Sequence, residues 1–129
     1  MSREETGNSE FPEGVLGSHT FWELEGVEFS KLDDLDLIES AMVRAAKECG
    51  ATILDEISHQ FHPQGVTFLL LLAESHLSFH SWPEKGAAAV DLFSCSPSID
   101  PSSITRALNE VFRPERIAER ELLRGKFSS

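Results

Sequence analysis

The chemically richest stretch of this chain runs from Ala73 to Cys95. Ser75 directly follows Glu74, and a histidine stands five positions later at His80. A serine hydroxyl can attack the carbonyl of the residue before it and convert the amide into an ester. An imidazole, which titrates near neutrality when unperturbed, is the natural base for the serine Cα proton, and the thiol of Cys95 can act as a general acid. The stretch therefore predicts a nucleophile, a base and an acid that work together.

Cleavage of the chain at Glu74–Ser75 by this route makes specific demands. The turn must be strained, and a polar group must steady the attacked carbonyl while the base is held near. Ser75 follows the apolar run Phe68 to Ala73, which is typical of a buried strand and can hold that strain. Thr67, which precedes this run, is expected to supply the steadying hydroxyl. Elimination and hydrolysis then leave a new amino terminus with a ketone beside a carbonyl, which is a pyruvoyl group.

This central motif resembles that of the prokaryotic class of S-adenosylmethionine decarboxylase proenzymes, and the likeness extends over most of the chain. The resemblance implies four roles: Ser75 as pyruvoyl precursor, His80 as processing base, Cys95 as catalytic proton donor, and Thr67 as a further processing residue. It also implies cleavage between Glu74 and Ser75. The products would be a β chain of residues 1–74 and an α chain of residues 75–129, both kept in one fold.

The same resemblance implies a substrate, a cofactor and an assembly. The substrate is S-adenosylmethionine, with Phe61 stacked on the adenine and Glu84 bound to the ribose hydroxyls. The cofactor is the pyruvoyl group derived from Ser75, whose ketone condenses with the substrate amine, and neither a metal nor pyridoxal phosphate is expected. The product would serve spermidine synthesis as the aminopropyl donor. The expected assembly is a homodimer of processed protomers, with both subunits lining each site.

Four positions depart from the usual pattern of that family. Ser18 replaces a frequent arginine, Thr67 stands where serine is usual, Ser81 where threonine is common after the histidine, and Ser96 where glycine commonly follows the cysteine. Thr67 and Ser81 keep a hydroxyl, so self-cleavage is expected to persist. The departures bear more on the substrate, and a decarboxylase of arginine or ornithine on the same scaffold is the alternative.

Other classes of function remain open at this point. His76 and His80, with a carboxylate, are candidate zinc ligands. On one strand, however, a spacing of four residues separates them by about 13 Å, too far to share one ion. A non-cleaving relative that acts as a regulatory partner is a further alternative, although it would have little need of Ser75, His80 and Cys95 together. A hydrolase triad is weaker, because no oxyanion loop is apparent.

Composition sets the outer bounds on these readings. The chain has 129 residues and a formal net charge of −11, which disfavours nucleic acid as a partner because phosphates would be repelled. No apolar run approaches the length of a membrane helix, and the beginning of the sequence lacks the pattern of a signal peptide. Two free thiols, at Cys49 and Cys95, suit the cytoplasmic location that we expect. Residues 1–14 are polar and acidic and predict a flexible tail before a single domain at 15–129.

Hydrophobic periodicity predicts how these groups are positioned. The pattern favours strands at 18–25, 51–61, 65–73, 77–82, 87–94 and 116–123, and helices at 35–49 and 103–112. Asp33 or Asp34 is expected to cap the first helix, and Gly50 to end it. The order of strands and helices predicts an α+β fold, a two-layer sandwich with a mainly antiparallel sheet and its helices on one face.

Overall fold

The computed structural model describes residues 10–125 and contains one six-stranded sheet in which every neighbouring pair of strands is antiparallel. The strands are β1 (Gly17–Glu25), β2 (Ile53–Gln60), β3 (Val66–Leu72), β4 (Ser75–Trp82), β5 (Ala87–Ser94) and β6 (Arg116–Arg124). Their order across the sheet is β2-β3-β4-β5-β1-β6. The predicted α+β class and its antiparallel sheet are confirmed.

The helices follow from the sequence pattern with one addition. They are α1 (Phe29–Leu32), α2 (Leu35–Glu48) and α3 (Ser102–Phe112), and a 3-10 turn spans Pro83–Lys85. Asp34 is the residue that caps α2, because its side chain accepts a hydrogen bond from the Leu37 amide at 3.1 Å. Gly50 follows the helix with a φ of 90°, a conformation that glycine adopts without cost. The short α1 was not predicted.

The hydrophobic core fills the space between the helices and one face of the sheet. In β3 the buried positions alternate with exposed ones, as expected where only one face of a strand is covered. Strands and helices both contribute large side chains with almost no exposed surface: Trp22, Phe68, Leu70, Leu77, Phe79, Ile38, Met42, Ile104, Leu108 and Phe112. Burial of each such side chain contributes about 1.5–3 kcal/mol, which fixes the sheet on which the reactive residues lie.

The opposite face of the sheet, called the outer face below, is of mixed character. Its side chains include His19, Phe21, Thr67, Leu69, Leu71, His76, Ser78, His80, Trp82, Asp91 and Phe93. Among residues 10–125 no helix packs on it, and Leu71 is 53% exposed. Imidazoles, hydroxyls and a carboxylate therefore share a surface with large apolar side chains.

The start of β4 differs from the sequence-based prediction, and the predicted tail cannot be checked in full. Strand β4 begins at Ser75 rather than at Leu77, so the reactive serine lies in the sheet and not in the turn before it. Residues 1–9 of the predicted tail lie outside the described part of the chain, so the division at residue 14 stays a prediction. Within 10–125, no helix has both the length and the apolar character that a bilayer crossing requires.

Candidate active site

The Glu74–Ser75 junction lies where the tight turn after β3 meets the first residue of β4, and its backbone is unusual. Ser75 has a φ of 153°, which lies in a region that side-chain-bearing residues rarely adopt. Such a conformation costs about 1–3 kcal/mol and persists only where the surroundings enforce it. Here the sheet enforces it, because Ser75 pairs with Leu72 on one side and with Ser94 on the other. Ser75 therefore lies in a strained backbone conformation.

The carbonyl of Glu74 already has a hydrogen-bond donor. The backbone N–H of Cys95 donates to the Glu74 carbonyl oxygen at 2.8 Å, and the Glu74 carboxylate accepts from the Thr52 amide at 3.0 Å. A fixed N–H aimed at this oxygen stabilises the negative charge that develops when the carbonyl is attacked. Sequence reasoning placed a Thr67 hydroxyl in this role and missed the main-chain donor, since no side-chain pattern marks it.

Cys95 lies directly after β5, beside the junction, and its thiol is exposed. The loop that presents it is held locally, because the Ser94 hydroxyl accepts from the Ser96 amide and donates to the Ser96 carbonyl, both at 3.0 Å. Ser96 therefore makes its main-chain contacts without the backbone freedom of glycine. The structure thus brings together Glu74, Ser75 and Cys95.

His80 and Thr67 form a second group at the other end of β4. They are cross-strand partners on the outer face, and the Thr67 hydroxyl lies 2.6 Å from His80 Nδ1. At the rise of an extended strand, the five positions from Ser75 to His80 correspond to about 17 Å, and an odd spacing directs the two side chains to opposite faces. Within one chain, His80 and Thr67 therefore do not reach the Glu74–Ser75 junction.

The two predicted substrate-binding residues join this second group. Phe61 and Glu84 line a pocket of about 320 Å³ together with His80. The pocket also contains Gln64, whose amide donates to the Glu84 carboxylate at 3.3 Å, and Trp82, whose ring meets the His80 ring edge-on at 4.4 Å. Sequence reasoning missed both residues. The available signal was a tryptophan directly before Pro83 and Glu84.

A third group on the outer face is centred on Asp91. Its carboxylate bonds with His19 Nε2 at 2.7 Å and His76 Nε2 at 3.2 Å, and it accepts a short hydrogen bond from the Ser78 hydroxyl. Burial alone would raise the pKa of Asp91, but the hydrogen bonds from Ser78, His19 and His76 outweigh it and hold that pKa below its ordinary value. The group was not foreseen, because it joins β1, β4 and β5.

The same three residues, His19, His76 and Asp91, offer ligand atoms within 4.8 Å of one another, which raises the question of a metal site. A contact from Arg124 argues against a metal site, because its guanidinium donates to His19 Nδ1 at 2.9 Å. That contact leaves the proton on Nε2, which then donates to Asp91. A metal-binding histidine needs the reverse arrangement, with Nε2 free and Nδ1–H facing an acceptor. The surroundings favour a hydrogen-bonded group, and His80 is paired elsewhere.

Comparison with known proteins assigns the chain to a family. Residues 18–125 match the family model described as S-adenosylmethionine decarboxylase. A Brevibacillus brevis protein named S-adenosylmethionine decarboxylase proenzyme is 42% identical over 111 residues, which are 86% of this chain and 84% of that protein. A Synechococcus protein of the same name is 44% identical over 110 residues, 85% of this chain and 86% of that one. The chain belongs to the S-adenosylmethionine decarboxylase family.

Solved structures agree with this assignment. The crystal structure of the adenosylmethionine decarboxylase from Aquifex aeolicus superposes with a TM-score of 0.75 at 36% identity, and the match covers 88% of this chain and 94% of that one. The AdoMetDC monomer from Trypanosoma brucei superposes with a TM-score of 0.57 at 13% identity over 79% of this chain and 44% of that one. The second likeness concerns the fold alone.

Proposed function

We propose that this protein is a self-cleaving, pyruvoyl-dependent decarboxylase of S-adenosylmethionine. The observation that carries the proposal is the Glu74–Ser75 junction. Its serine has a φ of 153°, and the carbonyl that the serine must attack accepts a hydrogen bond from the Cys95 amide at 2.8 Å. A strained serine beside a polarised carbonyl has no evident structural purpose in a strand, and the relatives that carry the proenzyme name support its use in cleavage.

The cleavage steps follow from the groups at the junction. Ser75 Oγ attacks the Glu74 carbonyl carbon, the C–N bond breaks, and the backbone becomes an ester with a free serine amine. His80, supplied by a second copy of the chain, removes the Ser75 Cα proton, the Cβ–Oγ bond breaks, and Glu74 leaves as a carboxylate. Tautomerisation and hydrolysis release ammonia and leave the ketone. Because residue 75 pairs with Leu72 and Ser94, the new terminus remains held in the sheet.

The pocket at the other end of β4 suits the nucleoside part of the substrate. Phe61 and Trp82 offer aromatic faces for a purine, and the Glu84 carboxylate can accept hydrogen bonds from ribose hydroxyls. The pyruvoyl group supplies a ketone and an adjoining carbonyl that draw electrons as CO2 leaves. The Cys95 thiol returns a proton to the substrate carbon. An aromatic pocket favours S-adenosylmethionine over arginine or ornithine, which have no purine. The decarboxylated product serves as the aminopropyl donor for spermidine.

The distance between the two ends of β4 supports a homodimer. His80 lies about 17 Å from Ser75 in one chain, so His80 can act as the base for Ser75 only from a second copy of the chain. A two-fold axis parallel to the sheet and perpendicular to β4 would set the His80 end of one protomer against the Ser75 end of its partner, which is the isologous arrangement common in dimers. The apolar outer face, with Leu71 53% exposed, offers the surface for it. Free thiols at Cys49 and Cys95 support a cytoplasmic location.

Intact-mass spectrometry of the wild-type protein and of Ser75→Ala tests the cleavage. We expect the wild type to give fragments of residues 1–74 and 75–129, the second with a pyruvoyl terminus, and the variant to stay whole. Release of CO2 is then compared for S-adenosylmethionine, arginine and ornithine, with release from the first alone expected. A wild-type chain that stays uncut would contradict the proposal and favour a non-cleaving partner.

Co-expression of two inactive variants tests whether the site is shared. Ser75→Ala lacks the cleavable serine, and His80→Ala lacks the base, so neither homodimer should cut. In a mixed dimer, one site combines Ser75 of the His80→Ala chain with the intact His80 of the other. We expect cleavage of the His80→Ala chain only, detected by mass. If no chain is cut, the shared site is wrong, even where each wild-type chain cleaves.

A further inference from the structure

The loop that carries Phe61 is tied at both ends. It joins β2 to β3, and the Phe61 amide donates to the Gly65 carbonyl at 2.8 Å. The Gln60 side-chain amide donates to the same carbonyl at 3.0 Å. Gly65 has a φ of 110°, so the loop closes in a conformation that glycine permits. Such a short closed loop still needs an external contact to fix its orientation against the sheet.

Asp33 supplies that contact from a distant part of the chain. One of its carboxylate oxygens, Oδ1, accepts from the Gly65 amide at 2.9 Å and from the Gln60 side chain at 2.9 Å. Both donors flank the loop, one at each end. Hydrogen bonds to an ionised acceptor are stronger than neutral ones, so a single carboxylate holds the two ends together.

The position of Asp33 is itself fixed by β4. Asp33 follows α1, and its amide donates to the Phe29 carbonyl at 3.1 Å. The buried Ser81 hydroxyl donates to the Leu32 carbonyl at 2.7 Å and accepts from the Val66 amide at 3.0 Å. Ser81 lies between His80 and Trp82 in β4. Leu32, which precedes Asp33, and Val66, which follows the loop, are thus both hydrogen-bonded to β4. This strand also provides His80 and Trp82 to the pocket.

The consequence is a defined geometry for the pocket. The Phe61 ring is held 5.9 Å from the His80 ring, centroid to centroid, and the Gln64 amide reaches the Glu84 carboxylate at 3.3 Å. We propose that Asp33 is a positioning residue that orients the Phe61 loop for binding of a purine nucleoside. The proposal rests on the proposed function, since it concerns the substrate of that same pocket.

Kinetics of Asp33→Ala and Asp33→Asn test the proposal, because the asparagine oxygen can still accept both hydrogen bonds and the alanine cannot. For Asp33→Ala we expect a KM for S-adenosylmethionine raised about tenfold, with kcat within about threefold, because the nucleoside is held equally in the ground and transition states. Asp33→Asn should restore KM to within about threefold of wild type. Asp34→Ala is the matched control. Asp34 caps α2, and the structure records no contact between Asp34 and the Phe61 loop.

Two measurements keep the outcome independent of decarboxylation. Hydrogen exchange at the Gly65 amide should accelerate at least about tenfold in Asp33→Ala and not in Asp34→Ala. Methylthioadenosine, titrated into Ser75→Ala, should bind about tenfold more weakly once Asp33→Ala is added. Equal binding by the single and double variants would overturn the role of Asp33 and leave the proposed function intact. No binding by Ser75→Ala itself would contradict the nucleoside pocket, and the role of Asp33 with it.

Discussion

Ser75 occupies a backbone region that glycine enters freely and other residues do not, so its strain has a measurable size. Ser75→Gly and Ser75→Ala both remove the hydroxyl and leave the chain uncut, but only glycine relieves a φ of 153°. We expect Ser75→Gly to be about 1 kcal/mol more stable than Ser75→Ala. The relief of backbone strain stabilises the glycine variant, and the greater entropy of its unfolded chain offsets part of that gain. Urea unfolding of the two variants measures the difference. Equal stability, or a more stable alanine variant, would mean that the junction stores no strain.

Asp91 makes stability depend on pH in the acid range. Its pKa in the folded protein lies below the ordinary value of 3.8, so its contribution is present above about pH 4 and is lost as pH falls through the folded pKa. In the uncleaved Ser75→Ala background, Asp91→Asn should lower the free energy of unfolding by about 2 kcal/mol at pH 7 and by less below pH 4. Glu110→Gln, on the exposed surface, is the control. A deficit that stays constant down to pH 3 would contradict this account.

At the scale of the secondary-structure elements, Ser81 joins α1 to β3 and β4 through one buried hydroxyl. Its removal leaves the Leu32 carbonyl and the Val66 amide without this partner in the interior. We expect Ser81→Ala to lower the free energy of unfolding by about 2 kcal/mol, measured by urea denaturation of the uncleaved protein. Ser81→Thr keeps the hydroxyl and should lose less than half as much. A similar loss in both variants would assign the cost to packing instead of hydrogen bonding.

The elements themselves were largely predictable, because each carries its own periodicity. The apolar repeat in α2 and the alternation in β3 predict that one face of each element is buried. The structure shows this burial in both elements. The four-residue α1 is too short to show a repeat. Which side chains meet across strands depends on register, and a single sequence does not contain it. For that reason the contact between the Thr67 hydroxyl and His80 was not predicted.

At the scale of the whole molecule, the reactive residues divide between two ends of the sheet. One end has Ser75 and Cys95, and the other has His80 and the aromatic pocket. The Asp91 group lies on the outer face between β1 and β4. In the homodimer that we propose, such a chain completes its catalytic centre by bringing its outer face against a second copy. A change that weakens dimerisation should therefore also reduce self-cleavage.

Leu71→Asp tests that coupling, because Leu71 lies on the outer face and is 53% exposed. A charge there should cost little in one protomer, but burial of an unpaired carboxylate in a dimer interface costs several kcal/mol. We expect a monomer by analytical ultracentrifugation and, in the same sample, an uncut chain by intact mass. Leu123→Asp, 44% exposed on the edge strand β6 and on the opposite face, should remain dimeric and cleave. A Leu71→Asp monomer that still cleaves would show that one chain contains the whole processing site.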